Sequence, residues 1–300
     1  MTLEEPSVSA ASGRPEQTPA TEADCTSHFV TCADREIHVT LWGEHHRPTI
    51  VMWHGLARTG RDFDTIAARL ARRYRVICPD TLGRGLSQWA NDPKVEYSLD
   101  FYAQIALELL DVFEVRRMRW VGTSMGGALG IRLAADALTE RITHLVINDI
   151  GPELAPSAVD RILNYAGSPP DFASVGEFEE YLRTVYVPFG YLTDAEWQRM
   201  AETSFRRRDN GRITVHYDPR MVEQFTHHPE DYDQWDSYDR IVAKTMVLRG
   251  SESDLLLPHW AEEMTRRGPK CRLEVVERCG HAPPLNNDAQ IGLIEEFFES

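Results

Sequence analysis

The sequence predicts an α/β protein: a mostly parallel, eight-stranded sheet flanked by helices, with a helical insertion after the sixth strand. Three observations carry this expectation. Short continuous apolar runs alternate with amphipathic stretches of helical length, as strands buried on both faces and joined by crossover helices require. That alternation stops at Gly151, gives way to Pro- and aromatic-rich sequence up to about Tyr238, and then resumes, so the insert interrupts one unit instead of following it. Finally, 42% hydrophobic and 26% charged residues over 300 positions are the proportions of a folded chain long enough to bury a sizeable core.

Taken in order, residues 1–27 are mostly Glu, Pro, Ser, Thr and Ala and are expected to form a disordered tail, since they have little apolar surface to offset the entropy of ordering. HFVTCAD and EIHVTLWGE read as a hairpin separated by the polar Asp34-Arg35 pair. PTIVMWHG and VICPD are buried strands, with a helix from about Arg61 to Arg73 between them. Ser98 offers an N-cap to DFYAQIALELLDVF, whose stripe of Ile105, Leu109, Val112 and Phe113 marks an amphipathic helix. RMRWVG, SMGGALGIRLAADA and THLVIND continue as strand, helix, strand.

Helical pieces broken by prolines follow, rich in rings such as Tyr165, Phe172, Tyr186 and Phe189. A structureless loop of that length is improbable in a compact domain, so residues 152–238 are expected to be a helical cap. The core then comprises 28–151 and 239–300. Its second part holds the strand KTMVLRG, a helix from Pro258 to Arg267, the strand RLEVVERCG and a helix from Asn287 to Phe298.

A formal net charge of −15 repels phosphate backbones and anionic membrane surfaces, so no nucleic acid or membrane partner is expected. Five cysteines without CxxC spacing suggest neither a disulfide framework nor a zinc knuckle. With no leader-like N-terminus and no apolar run of spanning length, the expected location is cytoplasmic. The His45-His46 and His227-His228 pairs lack completing ligands, and GRGLS (83–87) lacks the third glycine of a dinucleotide loop, so no metal and no cofactor are expected.

Chemistry is concentrated in RWVGTSMGG. Gly122, Ser124 and Gly126 fit G-x-S-x-G at a strand-to-helix junction, where a sharp turn holds the serine at a strained angle and its neighbours must be small. The same residues would otherwise make a tight turn carrying an inert hydroxyl. A serine needs a base, and the base needs an orienting carboxylate. GSESDLLLP offers Asp254 after one strand, with Glu252 nearby, and CGHAPPL offers His281 after the next. All three loops leave the carboxyl ends of strands, where ligands bind in open α/β sheets.

Together GTSMGG, WHGLAR, PDTLGRGLS and the Asp254 and His281 loops give the chain its resemblance. From about Thr31 onward it resembles the capped enzymes of the α/β-hydrolase fold, similar to bacterial carboxylesterases, enol-lactonases and meta-cleavage hydrolases. The resemblance implies Ser124 as nucleophile, His281 as general base and then acid, and Asp254 as the group orienting His281. It also implies an oxyanion hole made by the backbone N–H groups of Leu56 and Met125. Some members carry the acid where this chain has Asp149, at the end of THLVIND; the alternative for Asp149 is to fix the entry to the cap. His54 is expected to support the oxyanion loop, and Arg58 either to greet an anionic substrate group or to be a solvated surface residue.

The implied activity is hydrolysis of a carboxylic ester of small to medium apolar character through an acyl-enzyme, without cofactor. Enol-lactone hydrolysis, carbon-carbon hydrolysis of a meta-cleavage product and cofactor-free perhydrolysis are the alternatives within enzymes. A ligand-binding receptor that keeps the fold is the alternative outside them. The expected partner is a small-molecule ester or lactone, and a homodimer is left open.

Overall fold

The structure, a computed structural model, describes residues 25–300. The expected disordered tail falls outside these residues except for 25–27, which already belong to the first strand. In chain order the elements are β1 (Cys25–Cys32), β2 (Arg35–Trp42), β3 (Thr49–Trp53), α1 (Asp64–Leu70), β4 (Arg75–Pro79), α2 (Pro93–Glu96), α3 (Leu99–Val112), β5 (Met118–Thr123), α4 (Met125–Ala135) and β6 (Ile142–Asn148). Next come α5 (Pro156–Ala166), α6 (Val175–Val185), α7 (Asp194–Glu202), β7 (Phe205–Arg207), β8 (Ile213–Val215), α8 (Gln224–His227) and α9 (Trp235–Arg240). The chain closes with β9 (Lys244–Gly250), α10 (Pro258–Met264), β10 (Arg272–Val276) and α11 (Asp288–Glu299).

Eight strands form one sheet in the order β1-β2-β4-β3-β5-β6-β9-β10. β1, β2 and β4 pair antiparallel, and every later pairing is parallel. The β1–β2 turn is made by Ala33 and Asp34, one residue earlier than the sequence suggests, and both have positive φ as a two-residue hairpin turn of this twist requires.

Helices cover both faces of the sheet, which is why the parallel strands read as unbroken apolar runs. Along β3, Val51 and Trp53 join the layer containing α3 and α4, whereas Ile50 and Met52 join the layer containing α1 and α11. Ser98 caps α3 by accepting the N–H of Phe101 at 3.2 Å. Val112, expected on the buried stripe of that helix, is instead exposed, and Tyr102, Ala106 and Leu110 fill the inner face. The apolar arc is therefore wider than the stripe and rotated from it.

Between β6 and β9 stand α5 to α9 and the small antiparallel hairpin β7–β8. The segment is mainly helical, as its length demands, but the hairpin corrects the expectation of helices alone. Most of its rings pack on each other: Phe172 lies 5.3 Å from Phe178 and 5.1 Å from Tyr181, and Tyr186 lies 4.9 Å from Phe189.

Candidate active site

Ser124 sits between the end of β5 and the start of α4 with φ 53° and ψ −120°, in the left-handed half of backbone space. Two ordinary contacts hold this strained turn: the Ser124 N–H donates to Asn148 O at 2.9 Å, and its carbonyl accepts from Gly127 N at 2.7 Å. A Cβ on Gly122 would stand 2.1 Å from Gly126 O, and one on Gly126 would stand 2.0 Å from Trp53 O. Both glycines are thus steric requirements of the turn. Trp53 and Trp120 stack at 5.5 Å beneath it, and the Trp120 indole N–H donates to Gly126 O. Gly126→Ala should therefore cost about 3 kcal/mol, the upper end of the overpacking range, because the obstacle is backbone. Urea unfolding will read it, and an unchanged midpoint would contradict this packing.

His281 follows β10 and reaches back to the elbow. Its Nε2 is 2.9 Å from Ser124 Oγ, and its Nδ1 is 2.8 Å from Oδ2 of Asp149. A carboxylate only accepts, so Nδ1 carries the proton and Nε2 of the neutral ring is left to accept from the Ser124 hydroxyl. Asp149, fully buried at the end of β6, also accepts the Gly250 N–H at 2.9 Å on Oδ1 and the Ser253 hydroxyl at 2.6 Å on Oδ2. Three donors from two loops fix this carboxylate.

This corrects the expectation for Asp254. Its carboxylate turns away from His281 and forms a two-pronged pair with Arg161 of α5, at 2.8 and 2.9 Å, with half of its side chain exposed. The cause is local. Arg249 donates to the carbonyls of Ser253 and Leu256, and the Ser253 hydroxyl accepts from Leu255 and Leu256 while donating to Asp149. The turn after β9 therefore presents Ser253 inward and Asp254 outward. Asn148 is a second participant the motifs did not reveal: its side-chain amide donates to Thr123 Oγ1 and to Pro283 O, joining the elbow strand to the histidine loop.

The loop after β3 lies against the elbow, so that a Cβ on Gly55 would be 3.5 Å from that of Ser124. His54 is wholly buried. Its Nδ1 donates to Gly55 O at 2.7 Å and its Nε2 accepts from Thr81 N at 2.9 Å, while burial lowers its pKa to about 4. It is a neutral strut. Arg84, in the GRGLS turn, also escaped the motif reading. It is buried, donates to the carbonyls of Leu56 and Leu82 and to the Tyr102 hydroxyl, and so fastens the loop at Leu56. A lone arginine between two glycines was the signal.

Arg58 is not the solvated residue the alternative reading supposed. It is buried, paired with Asp62, and lies 4.9 Å over the Tyr186 ring. Burial opposes its charge, but Asp62 and Tyr186 outweigh that and raise its pKa. It borders a cavity of about 230 Å³ between the sheet core and α7. Phe63, Phe189, Leu192 and Met200 form apolar walls, and Gly55, Thr123 and Ala282 bring the cavity beside Ser124 and His281. Of the insert rings named from the sequence, Phe189 lines it.

Among the described residues no group of three or more His, Cys, Asp or Glu side chains gathers as a metal site, and no helix is long and apolar enough to cross a membrane. His228 bonds the Lys94 carbonyl and His227 faces Glu223 at 3.8 Å.

A mostly parallel sheet covered on both faces, with a sharp turn between β5 and α4, is the architecture of the α/β-hydrolase fold. The chain belongs to the alpha/beta hydrolase family, whose model matches residues 50–291. It is 38% identical to a 3-hydroxybutyrate-oligomer hydrolase of Cupriavidus necator over 267 residues, covering 86% of this chain and 90% of that protein. It is 23% identical to esterase YbfF of Escherichia coli, covering 81% of this chain and 89% of that one. Among solved structures it resembles an alpha/beta hydrolase from Novosphingobium aromaticivorans with a TM-score of 0.83 and 33% identity, over 92% of this chain and 98% of that chain.

Proposed function

We propose that the protein is a serine hydrolase of carboxylic esters, with Ser124 as nucleophile, His281 as general base and acid, and Asp149 as the carboxylate that orients the imidazole. The observation that carries this reading is the unbroken chain from Ser124 Oγ to His281 to the buried Asp149, at 2.9 and 2.8 Å. Ser124 Oγ attacks the ester carbonyl as its proton passes to Nε2. The imidazolium that forms is stabilised by Asp149 and then delivers the proton to the leaving alcohol. Water, activated by the same nitrogen, releases the acid from the acyl-enzyme.

Charge on the carbonyl oxygen falls to the N–H of Met125, at the positive end of α4, and to that of Leu56, on the loop fastened by Arg84. Losing one such donor costs about 10²- to 10³-fold in rate. The insert acts as the cap, and its α7 closes the cavity that receives the acyl group. Apolar walls interrupted by the Arg58–Asp62 pair suit a short acyl chain that carries a polar substituent. With the 3-hydroxybutyrate-oligomer hydrolase as a relative, this favours short oligoesters of a hydroxy acid as the substrate class. For lactone hydrolysis the corresponding support is a fold likeness to an enol-lactonase at 19% identity.

Mixing the protein with a p-nitrophenyl short-chain ester should give a burst of p-nitrophenol, and acid quenching should trap an acyl group on the peptide containing Ser124. A panel with hydroxy-acid dimers and trimers beside simple alkyl esters reads the substrate class. Tight binding with no turnover and no adduct would instead support the receptor reading.

A further inference from the structure

A second Ser-His-Asp relay stands at the antiparallel edge of the sheet, away from the elbow. Ser27 on β1 has its Oγ 2.7 Å from Nε2 of His38 on β2, and Nδ1 of His38 is 2.8 Å from Oδ2 of Asp80, just beyond β4. His38 and Asp80 are almost completely buried, whereas Ser27 is exposed. By the donor logic applied to His281, the Asp80 carboxylate fixes the proton on Nδ1 and leaves Nε2 to take one from the serine. Asp80 also accepts the N–H groups of Gly60 and Leu86, at 2.8 and 3.0 Å, so the carboxylate is rigidly held. Those two bonds already tie the loops together. They leave unexplained why a solvent-facing strand serine should contact a buried, oriented imidazole.

The relay opens on a cavity of about 260 Å³. Its walls include the side chains of Thr26, Thr40, Thr59 and Arg61 on the polar side and Leu86 and Phe205 on the apolar side. Arg61 and Thr203 border both this cavity and the one beside Ser124, so the two lie back to back.

We propose that Ser27, His38 and Asp80 form a second nucleophilic centre that accepts short acyl groups from activated esters. Ser27 Oγ forms a bond to the acyl carbon, and the bond from that carbon to the leaving oxygen breaks. The Ser27 proton goes to His38 Nε2 and from there to the departing alkoxide, while water later returns the acid and the free hydroxyl. Ser27 lies within a strand and not at a helix start, so no aligned helix N–H groups meet the developing charge. The substrate class is accordingly restricted to esters with good leaving groups.

The test uses the full chain carrying Ser124→Ala, treated at neutral pH with p-nitrophenyl acetate, then digested and mapped by mass spectrometry. An exposed serine without such a relay, Ser157, is the internal reference. Acetylation at Ser27 should run at least about 10²-fold faster than at Ser157, the lower end of what a positioned base contributes. His38→Gln in the same background should bring Ser27 down to the Ser157 rate. If His38→Gln does not fold, the Ser27-to-Ser157 ratio in the Ser124→Ala protein alone decides. Equal rates, or no adduct at Ser27, overturn the proposal without touching the reading of Ser124.

Discussion

Replacing Ser124 with alanine is expected to lower kcat for a p-nitrophenyl ester by on the order of 10⁶-fold. The effect should be that large because nucleophile and base act as a unit: His281 Nε2 has the Ser124 hydroxyl as its partner at 2.9 Å, and an imidazole without it can only activate water inefficiently. The fold should not contribute to the loss. The Ser124 side chain makes no capping bond to α4, and the bonds that hold its turn come from backbone N–H and C=O groups, which alanine keeps. Steady-state assays beside thermal melts separate the two effects. Undiminished turnover in a protein of unchanged melting temperature would remove Ser124 from the mechanism.

The second large effect distinguishes two aspartates. Asp149→Asn should reduce kcat by about 10⁴-fold, because an amide in that place can donate to Nδ1 and so stabilise the tautomer whose Nε2 proton faces the serine. The asparagine oxygen can still accept from Gly250, so the site need not collapse. Asp254→Asn should change kcat by a few-fold at most. It removes one half-exposed ion pair with Arg161, worth at most about 1 kcal/mol. The opposite ranking, with Asp254→Asn the more damaging, would mean that the family pattern describes the working enzyme better than this geometry does.

Why the sequence pointed to Asp254 is instructive. Asp149 and Asp254 follow β6 and β9, which are neighbours in the sheet, and both strands end at the rim where Ser124 emerges. Local spacing cannot tell them apart. What decides is the turn after β9, where Arg249 and Ser253 settle which side chain faces inward, and those bonds run to carbonyls and to Asp149 itself. By contrast, the sharp turn at Ser124 was legible because it imposes a steric rule that appears directly as Gly122 and Gly126.

The same division holds for the fold. The buried strands were legible because coverage on both faces forces continuous apolar runs. β7 and β8 were not, being three residues each, with Arg206 and Arg207 in the first of them. For Arg58 a solvated surface position was one of two readings, until Asp62 and Tyr186 closed around it. Asp62 stands four residues on, but Tyr186 lies far along the chain, and spacing carries no trace of that contact.

With Thr123 in ladder register beside Asn148, the residues bearing the hydroxyl and the carboxylate, each one position further on, are spaced by sheet pairing. If Asp149 orients His281 as proposed, position 254 is released from proton chemistry, and its carboxylate serves to join the turn after β9 to α5 through Arg161.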